Sequence, residues 1–112
     1  MTKNFEMALI DDALKISDQE ILDTAHWLLH HEGLFVGSSS ALNVAAACRV
    51  ALQLGAGHTV VTIICDSGQR HMSRLWNPEY IGKYGLTWPA GSHQDFPPWV
   101  TDAPNSDDYS VD

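Results

Sequence analysis

The sequence predicts an α/β fold in which three short strands alternate with helices in a partial, three-layer parallel sheet. Residues 59–64 (TVVTII) form an uninterrupted apolar and β-branched run, which is typical of a strand buried on both faces. Apolar runs of this kind alternate with helix signals along the chain, and the links between them are short. Strands joined in this way pair in parallel through right-handed crossovers, with the helices on the faces of the sheet.

The first strand and helix are predicted from local signals. Residues 13–16 (ALKI) are interpreted as a short strand, and Ser17 and Glu20 form a capping box at the start of the helix that follows. Apolar side chains recur on one face of this helix, and Gly33 supplies its left-handed end.

Two more strands, each with its helix, follow in the same order. Residues 34–36 (LFV) form the second predicted strand, and a serine of the turn after it caps an alanine-rich helix that Gly55 ends. The third strand, residues 59–64, stops at the small polar residues 65–68 (CDSG), and helical spacing then resumes. Ligands of open parallel sheets bind beyond the carboxyl ends of the strands, so Ser67 is a candidate site residue; an ordinary turn is the alternative.

Composition restricts the class of protein. The chain has 112 residues, of which 45% are hydrophobic, enough for one small domain. Its net charge of −8 argues against nucleic acid or an anionic membrane as a partner. Cys48 and Cys65 lack metal-site or redox spacing, and the chain shows no signal or transmembrane segment. These features predict an intracellular protein, cytoplasmic or mitochondrial.

Two further clusters have alternative interpretations. Residues 37–41 (GSSSA) nearly match a nucleophile elbow centred on Ser39, but the last glycine is missing and no triad partner is evident. A helix cap is the favoured interpretation, and anion binding at the helix start is a third. His26 and His30 could share a metal at helical spacing, but an exposed helix face carrying histidines is favoured, and we predict no metal site.

Three motifs in combination are specific: GSSSA at 37–41, CDSG at 65–68 and RHMSRLW at 70–76. With them, residues 8–84 resemble the C-terminal segment of the cysteine synthase family, pyridoxal-phosphate enzymes of the tryptophan-synthase-β fold type, and most closely its fungal cysteine synthase 2-like branch. The resemblance implies that residues 1–84 are part of a larger cofactor-binding α/β domain. It also implies that Ser67 hydrogen-bonds the pyridine nitrogen of pyridoxal phosphate. Residues 85–112, rich in proline and acidic residues, are predicted to be a mostly disordered tail.

The chain departs from the family pattern in two respects. The family's Schiff-base lysine and phosphate-binding loop have no counterpart here, and Lys3, Lys15 and Lys83 lack the matching context. The resemblance therefore implies a C-terminal fragment of an enzyme of β-replacement, in which O-acetylserine and sulfide give cysteine and acetate, with no catalytic residue of its own and inactive alone. The alternative is a non-catalytic binding or regulatory module that pairs with the missing N-terminal half or with a homologous subunit. Whether the chain is itself an enzyme stays open at this point.

Overall fold

The computed structural model of the chain describes residues 2–89. Helices dominate this part of the chain. The α-helices are α1 (Lys3–Met7), α2 (Asp18–Trp27), α3 (Ser38–Leu54) and α4 (Pro78–Lys83), with a π-helical turn at Leu28–Glu32 and a 3-10 turn at Gly68–His71. Within residues 2–89, no helix is long and apolar enough to cross a membrane.

The predicted three-stranded parallel sheet is wrong, because the described residues contain no sheet. Val36 and Ser67 form an isolated bridge, and it is antiparallel. Two backbone hydrogen bonds flank that bridge: Gly37 N donates to Asp66 O at 3.3 Å, and Gly68 N donates to Phe35 O at 3.1 Å. The ends of the second and third predicted strands therefore meet, but they meet through their turns rather than through a ladder.

The predicted third strand shows why no sheet forms. Residues 59–64 have no backbone hydrogen bond to a neighbouring strand in the described part of the chain, and Val61 and Ile63 are 86% and 67% exposed. Helix α3 contacts one side of the segment, where Asn43 Nδ2 donates to Ile63 O at 2.9 Å and Thr62 Oγ1 donates to Asn43 O at 3.4 Å. A strand buried on both faces needs paired strands at its edges and a layer on each face, and residues 2–89 supply one layer on one face.

The core lies where α2 packs against α3, and Ile81 of α4 is part of it. Its buried members are aliphatic: Leu22, Ala25, Leu28, Val36, Ala41, Leu75 and Ile81. Ser17 Oγ accepts from Glu20 N at 3.3 Å, and Gly33 adopts φ 68°, so both predicted ends of the first helix are confirmed. The second arm of the capping box is not formed, because the Glu20 carboxylate pairs instead with the buried Arg49 guanidinium of α3.

The start of the predicted tail packs against α2. Gln19 Nε2 donates to Thr87 O at 2.9 Å, Thr87 N donates to Gln19 Oε1 at 2.8 Å, and the Trp88 ring contacts His26. The rest of the tail prediction falls on residues 90–112, which lie outside the described residues.

Candidate functional site

Ser67 lies at the centre of the turn formed by residues 65–68, referred to below as the Ser67 turn. Its side chain is exposed, and its hydroxyl oxygen accepts a hydrogen bond from Gln69 N at 3.2 Å at the start of the 3-10 turn. A serine hydroxyl that accepts one hydrogen bond still has its own proton to donate. Ser67 therefore presents a neutral donor to the surface of the molecule.

Ser40 joins the Ser67 turn to the first turn of α3. Its side chain is fully buried, and its hydroxyl oxygen accepts from Cys65 N and Asp66 N, each at 2.9 Å. The hydroxyl proton faces Asp66, whose carboxylate Oδ1 makes a short contact and whose carbonyl oxygen lies at 3.1 Å. One buried side chain thus satisfies two backbone donors of the turn.

The Asp66 carboxylate occupies the N-terminus of α3. Oδ1 accepts from Ser40 N at 3.0 Å, and Oδ2 lies 2.9 Å from His71 Nε2. Burial raises the pKa of the Asp66 carboxyl, but the hydrogen bonds from Ser40 and the nearby His71 outweigh burial and lower the pKa below its usual value. The carboxylate is therefore ionised and fills the place that an external anion would take, so the anion-binding interpretation of residues 37–41 is wrong for this structure.

Two glycines allow the turns to approach this closely. A Cβ atom at Gly37 would collide with the Asp66 carboxylate and the His71 ring, and one at Gly68 would collide with the Phe35 ring. Gly37 is also the residue before α3 and offers no side-chain cap, so the predicted serine cap is wrong and Asp66 caps the helix from the other turn.

The nucleophile interpretation of Ser39 gains no support. Ser39 is exposed on the first turn of α3, and within residues 2–89 no hydrogen bond joins its hydroxyl to a histidine. His71, the nearest histidine to this turn in the hydrogen-bond network, contacts Asp66 instead. A triad needs the histidine next to the nucleophile, and this arrangement does not provide it.

His26 is a core residue, so the exposed-face interpretation is wrong for it. It is 6% exposed, and its ring packs against Trp76 and Trp88 with centroids 4.7 and 4.5 Å away, while His30 lies at 6.2 Å. Burial, with a smaller contribution from His30, lowers the pKa of His26 to about 4. The part of the chain that the structure describes contains no group of three or more His, Cys, Asp or Glu side chains placed to hold a metal.

The sequence predicts Ser67 as a site residue but does not indicate the residues that support its turn. Ser40, Asp66 and His71 form one hydrogen-bonded network across a separation of 26 residues between Ser40 and Asp66. No local spacing signals such a contact. The rule that carboxyl ends of neighbouring strands share one edge could have indicated that the two turns meet.

The chain is similar to one protein family and to several curated cysteine synthases. A family described as "Pyridoxal-phosphate dependent enzyme" matches residues 2–66. A cysteine synthase 2 from Schizosaccharomyces pombe is 46% identical over 98 residues, which cover 86% of this chain and 25% of the relative. Proteins of the same name from Neurospora crassa and Emericella nidulans are 47% and 50% identical, over 77% and 68% of this chain and 19% and 18% of their own lengths. The chain thus spans a quarter or less of these relatives.

Proposed function

Because the chain belongs to the family of pyridoxal-phosphate-dependent enzymes, we propose that it is a segment of a cysteine synthase-like protein and supplies the Ser67 contact to the cofactor. The family match and the fungal relatives confirm the resemblance and its cofactor. For the whole protein we propose β-replacement, in which O-acetylserine and sulfide give cysteine and acetate. Relatives named cysteine synthase support this proposal.

The observation that supports the Ser67 role is the free proton of its hydroxyl. Ser67 is exposed, and its oxygen already accepts from Gln69 N, so the group is available as a donor to an unprotonated ring nitrogen. When bound, pyridoxal phosphate supplies the electron withdrawal that the substrate's reacting carbon needs. A neutral donor would leave the ring nitrogen without a proton, so the electron withdrawal would be weaker. A carboxylate at position 67 would favour a protonated nitrogen and a stronger withdrawal.

The residues of this chain fit the ring nitrogen but not the phosphate of the cofactor. The start of α3, where helix N–H groups could hold a phosphate, is filled by the Asp66 carboxylate. We propose that the phosphate loop and the Schiff-base lysine belong to the three quarters of the relatives that this chain does not span, and that the chain alone is inactive.

A non-catalytic module that pairs with a full-length homologue is the second candidate. The exposed apolar side chains of Val61 and Ile63 support a partner for this chain, because added strands and helices would cover them. The partner in either case is the missing N-terminal half or a homologous subunit of this family, and the substrate is an amino acid. We propose an intracellular location; a yeast relative, 44% identical, has the words "mitochondrial cysteine synthase" in its name and supports the mitochondrial option.

The experiment that tests the Ser67 role is a titration with pyridoxal phosphate. The full chain is combined with the part of the S. pombe relative that it does not span, and cofactor absorbance is followed. Ser67→Ala removes one neutral hydrogen bond, worth about 0.5–1.5 kcal/mol, so the Kd should rise about 2- to 12-fold. Ser73→Ala, at an exposed serine without a hydroxyl hydrogen bond in the described residues, is the matched control. Equal affinities for the two variants would contradict the proposal.

A further inference from the structure

We infer that Asp66 is a positioning residue for Ser67. Asp66 bonds the Ser67 turn both to α3 and to His71, and it thereby fixes the direction of the Ser67 hydroxyl. This inference rests on the proposed function, and it identifies the residue on which the orientation of the Ser67 hydroxyl depends. Asp66 itself has no role toward substrate or cofactor in it.

The chain before Ser67 is fixed to a long helix. Asp66 N donates to Ser40 Oγ at 2.9 Å, Gly37 N donates to Asp66 O at 3.3 Å, and Asp66 Oδ1 accepts from Ser40 N at 3.0 Å. All three contacts lie at the start of α3, which is 17 residues long and packs against α2. The residue next to Ser67 therefore has its N–H, its carbonyl and its side chain bonded to one rigid element.

The chain after Ser67 is fixed to the same carboxylate. His71 Nε2 lies 2.9 Å from Asp66 Oδ2, so the side chains of residues 66 and 71 close a loop around the 3-10 turn. Gly68 N adds a backbone bond to Phe35 O at 3.1 Å. The hydrogen bond from Gln69 N to Ser67 Oγ lies inside this closed loop, so the orientation of the hydroxyl depends on the loop that Asp66 closes.

The network is not a displaced catalytic triad. Asp66 stands between Ser40 and His71, whereas a triad has the histidine in the middle. Ser40 is fully buried and its oxygen already accepts two backbone N–H groups, so it has neither access to a substrate nor a free lone pair for attack. The arrangement stabilises a turn and leaves Ser67 as its exposed donor.

Amide hydrogen exchange and carbon chemical shifts, measured by NMR on the full chain without cofactor, test the inference. In Asp66→Ala the amides of Gly37 and Gly68 should exchange roughly tenfold faster or more, because their partners are no longer held in place. The Ser67 Cβ shift should move with them. The amide of Leu22 in the core should keep its exchange rate. Asp12→Ala, at an exposed turn carboxylate that accepts from Ala13 N, is the matched control and should change none of these signals.

A conservative variant keeps the test decisive if Asp66→Ala fails to fold. Asp66→Asn retains an oxygen for Ser40 N but loses the charge that faces His71, so Gly37 should stay near its normal exchange rate while the Ser67 Cβ shift still moves. His71→Gln should move the Ser67 shift in the same direction, and His58→Gln, at a loop histidine, should not.

Two results would overturn the inference. In one, the Ser67 shift and the Gly68 amide are unchanged in the Asp66 and His71 variants. In the other, Leu22 exchanges faster by the same factor as Gly68, which would make Asp66 a general support of the fold. Because these measurements are made without cofactor, their outcome is independent of the proposed function. If the turn responds to Asp66→Ala but Ser67→Ala leaves the affinity for pyridoxal phosphate unchanged, the proposed function alone is contradicted.

Discussion

The Ser67 turn and the apolar segment of residues 59–64 are adjacent in the chain, yet they are held in different ways. In the turn, the N–H groups of Cys65 and Asp66 are hydrogen-bonded to Ser40 of α3, and that of Gly68 is hydrogen-bonded to Phe35, shortly before α3. In the apolar segment, Val61 and Ile63 are largely exposed and no backbone ladder forms within residues 2–89. The described residues therefore form the turn, which polar side chains hold in place, but they do not form the sheet that residues 59–64 would need.

The largest expected effect comes from the buried ion pair that joins α2 to α3. Arg49 is 3% exposed, pairs with Glu20 and donates from Nη1 to Lys15 O at 3.1 Å. Arg49→Met leaves the Glu20 carboxylate buried without its cation, so the free energy of unfolding should fall by about 3–5 kcal/mol in urea titrations. The double variant Glu20→Gln, Arg49→Met should recover part of the loss. A single-variant loss below about 1 kcal/mol would show that this ion pair does not hold α2 against α3.

The second prediction concerns acid. The pKa of His26 is lowered to about 4 in the folded chain, against about 6.5 in an unfolded one, so between these values the unfolded state binds a proton that the folded state does not. The stability that His26 contributes is therefore fully present above about pH 6.5 and is lost as the pH falls toward 4, by at most about 3.4 kcal/mol.

Thermal unfolding at a series of pH values measures the His26 contribution. His26→Phe keeps an aromatic ring between Trp76 and Trp88 and should flatten the profile between pH 6.5 and 4. His31→Phe, at an exposed histidine, should not. Asp66, whose pKa is lowered, loses its own contribution only at more acidic pH, so the two windows are separate. A profile that is identical in the chain and in His26→Phe would contradict the prediction.

The third prediction separates two neighbouring serines. Ser40→Ala leaves the N–H groups of Cys65 and Asp66 without their acceptor, so it should lower the free energy of unfolding by about 1–3 kcal/mol. Ser39→Ala, at an exposed position, should stay within about 0.5 kcal/mol. Chemical unfolding of both variants gives the comparison directly, and equal losses would show that the Ser40 hydroxyl does not stabilise the Ser67 turn.

The smallest effect is expected in the apolar segment itself. Val61→Thr and Ile63→Thr each replace an exposed side chain, so each should change the free energy of unfolding by less than about 0.5 kcal/mol. The same substitutions in a strand buried on both faces would cost considerably more, because they would place a hydroxyl in the core. A loss above about 1.5 kcal/mol would mean that the segment is buried in solution, for example by self-association, which light scattering would detect.

These two regions also show what the sequence could and could not predict. The Ser17 cap contacts Glu20 and the Gly33 end contacts Leu28, each only a few residues away in the chain, so local pattern was sufficient to predict both. The sheet depends on partners far away in the chain, and a β-branched run such as residues 59–64 specifies a strand only when those partners are present. Ser67 was predicted from its place at the end of an apolar run and then from the family motif, whereas the contact between Ser40 and Asp66 was missed because it spans 26 residues and follows no period.

Residue-by-residue hydrogen exchange on the unmodified chain tests most directly the claim that the Ser67 turn is preformed while its neighbouring strand is not. The amides of Gly37, Cys65 and Gly68, each bonded across the two turns, should exchange at least roughly tenfold more slowly than those of Val61 and Ile63, which lack a backbone partner in the described residues. Equal rates in the two regions, or slower exchange at Val61 and Ile63 than in the turn, would contradict the account.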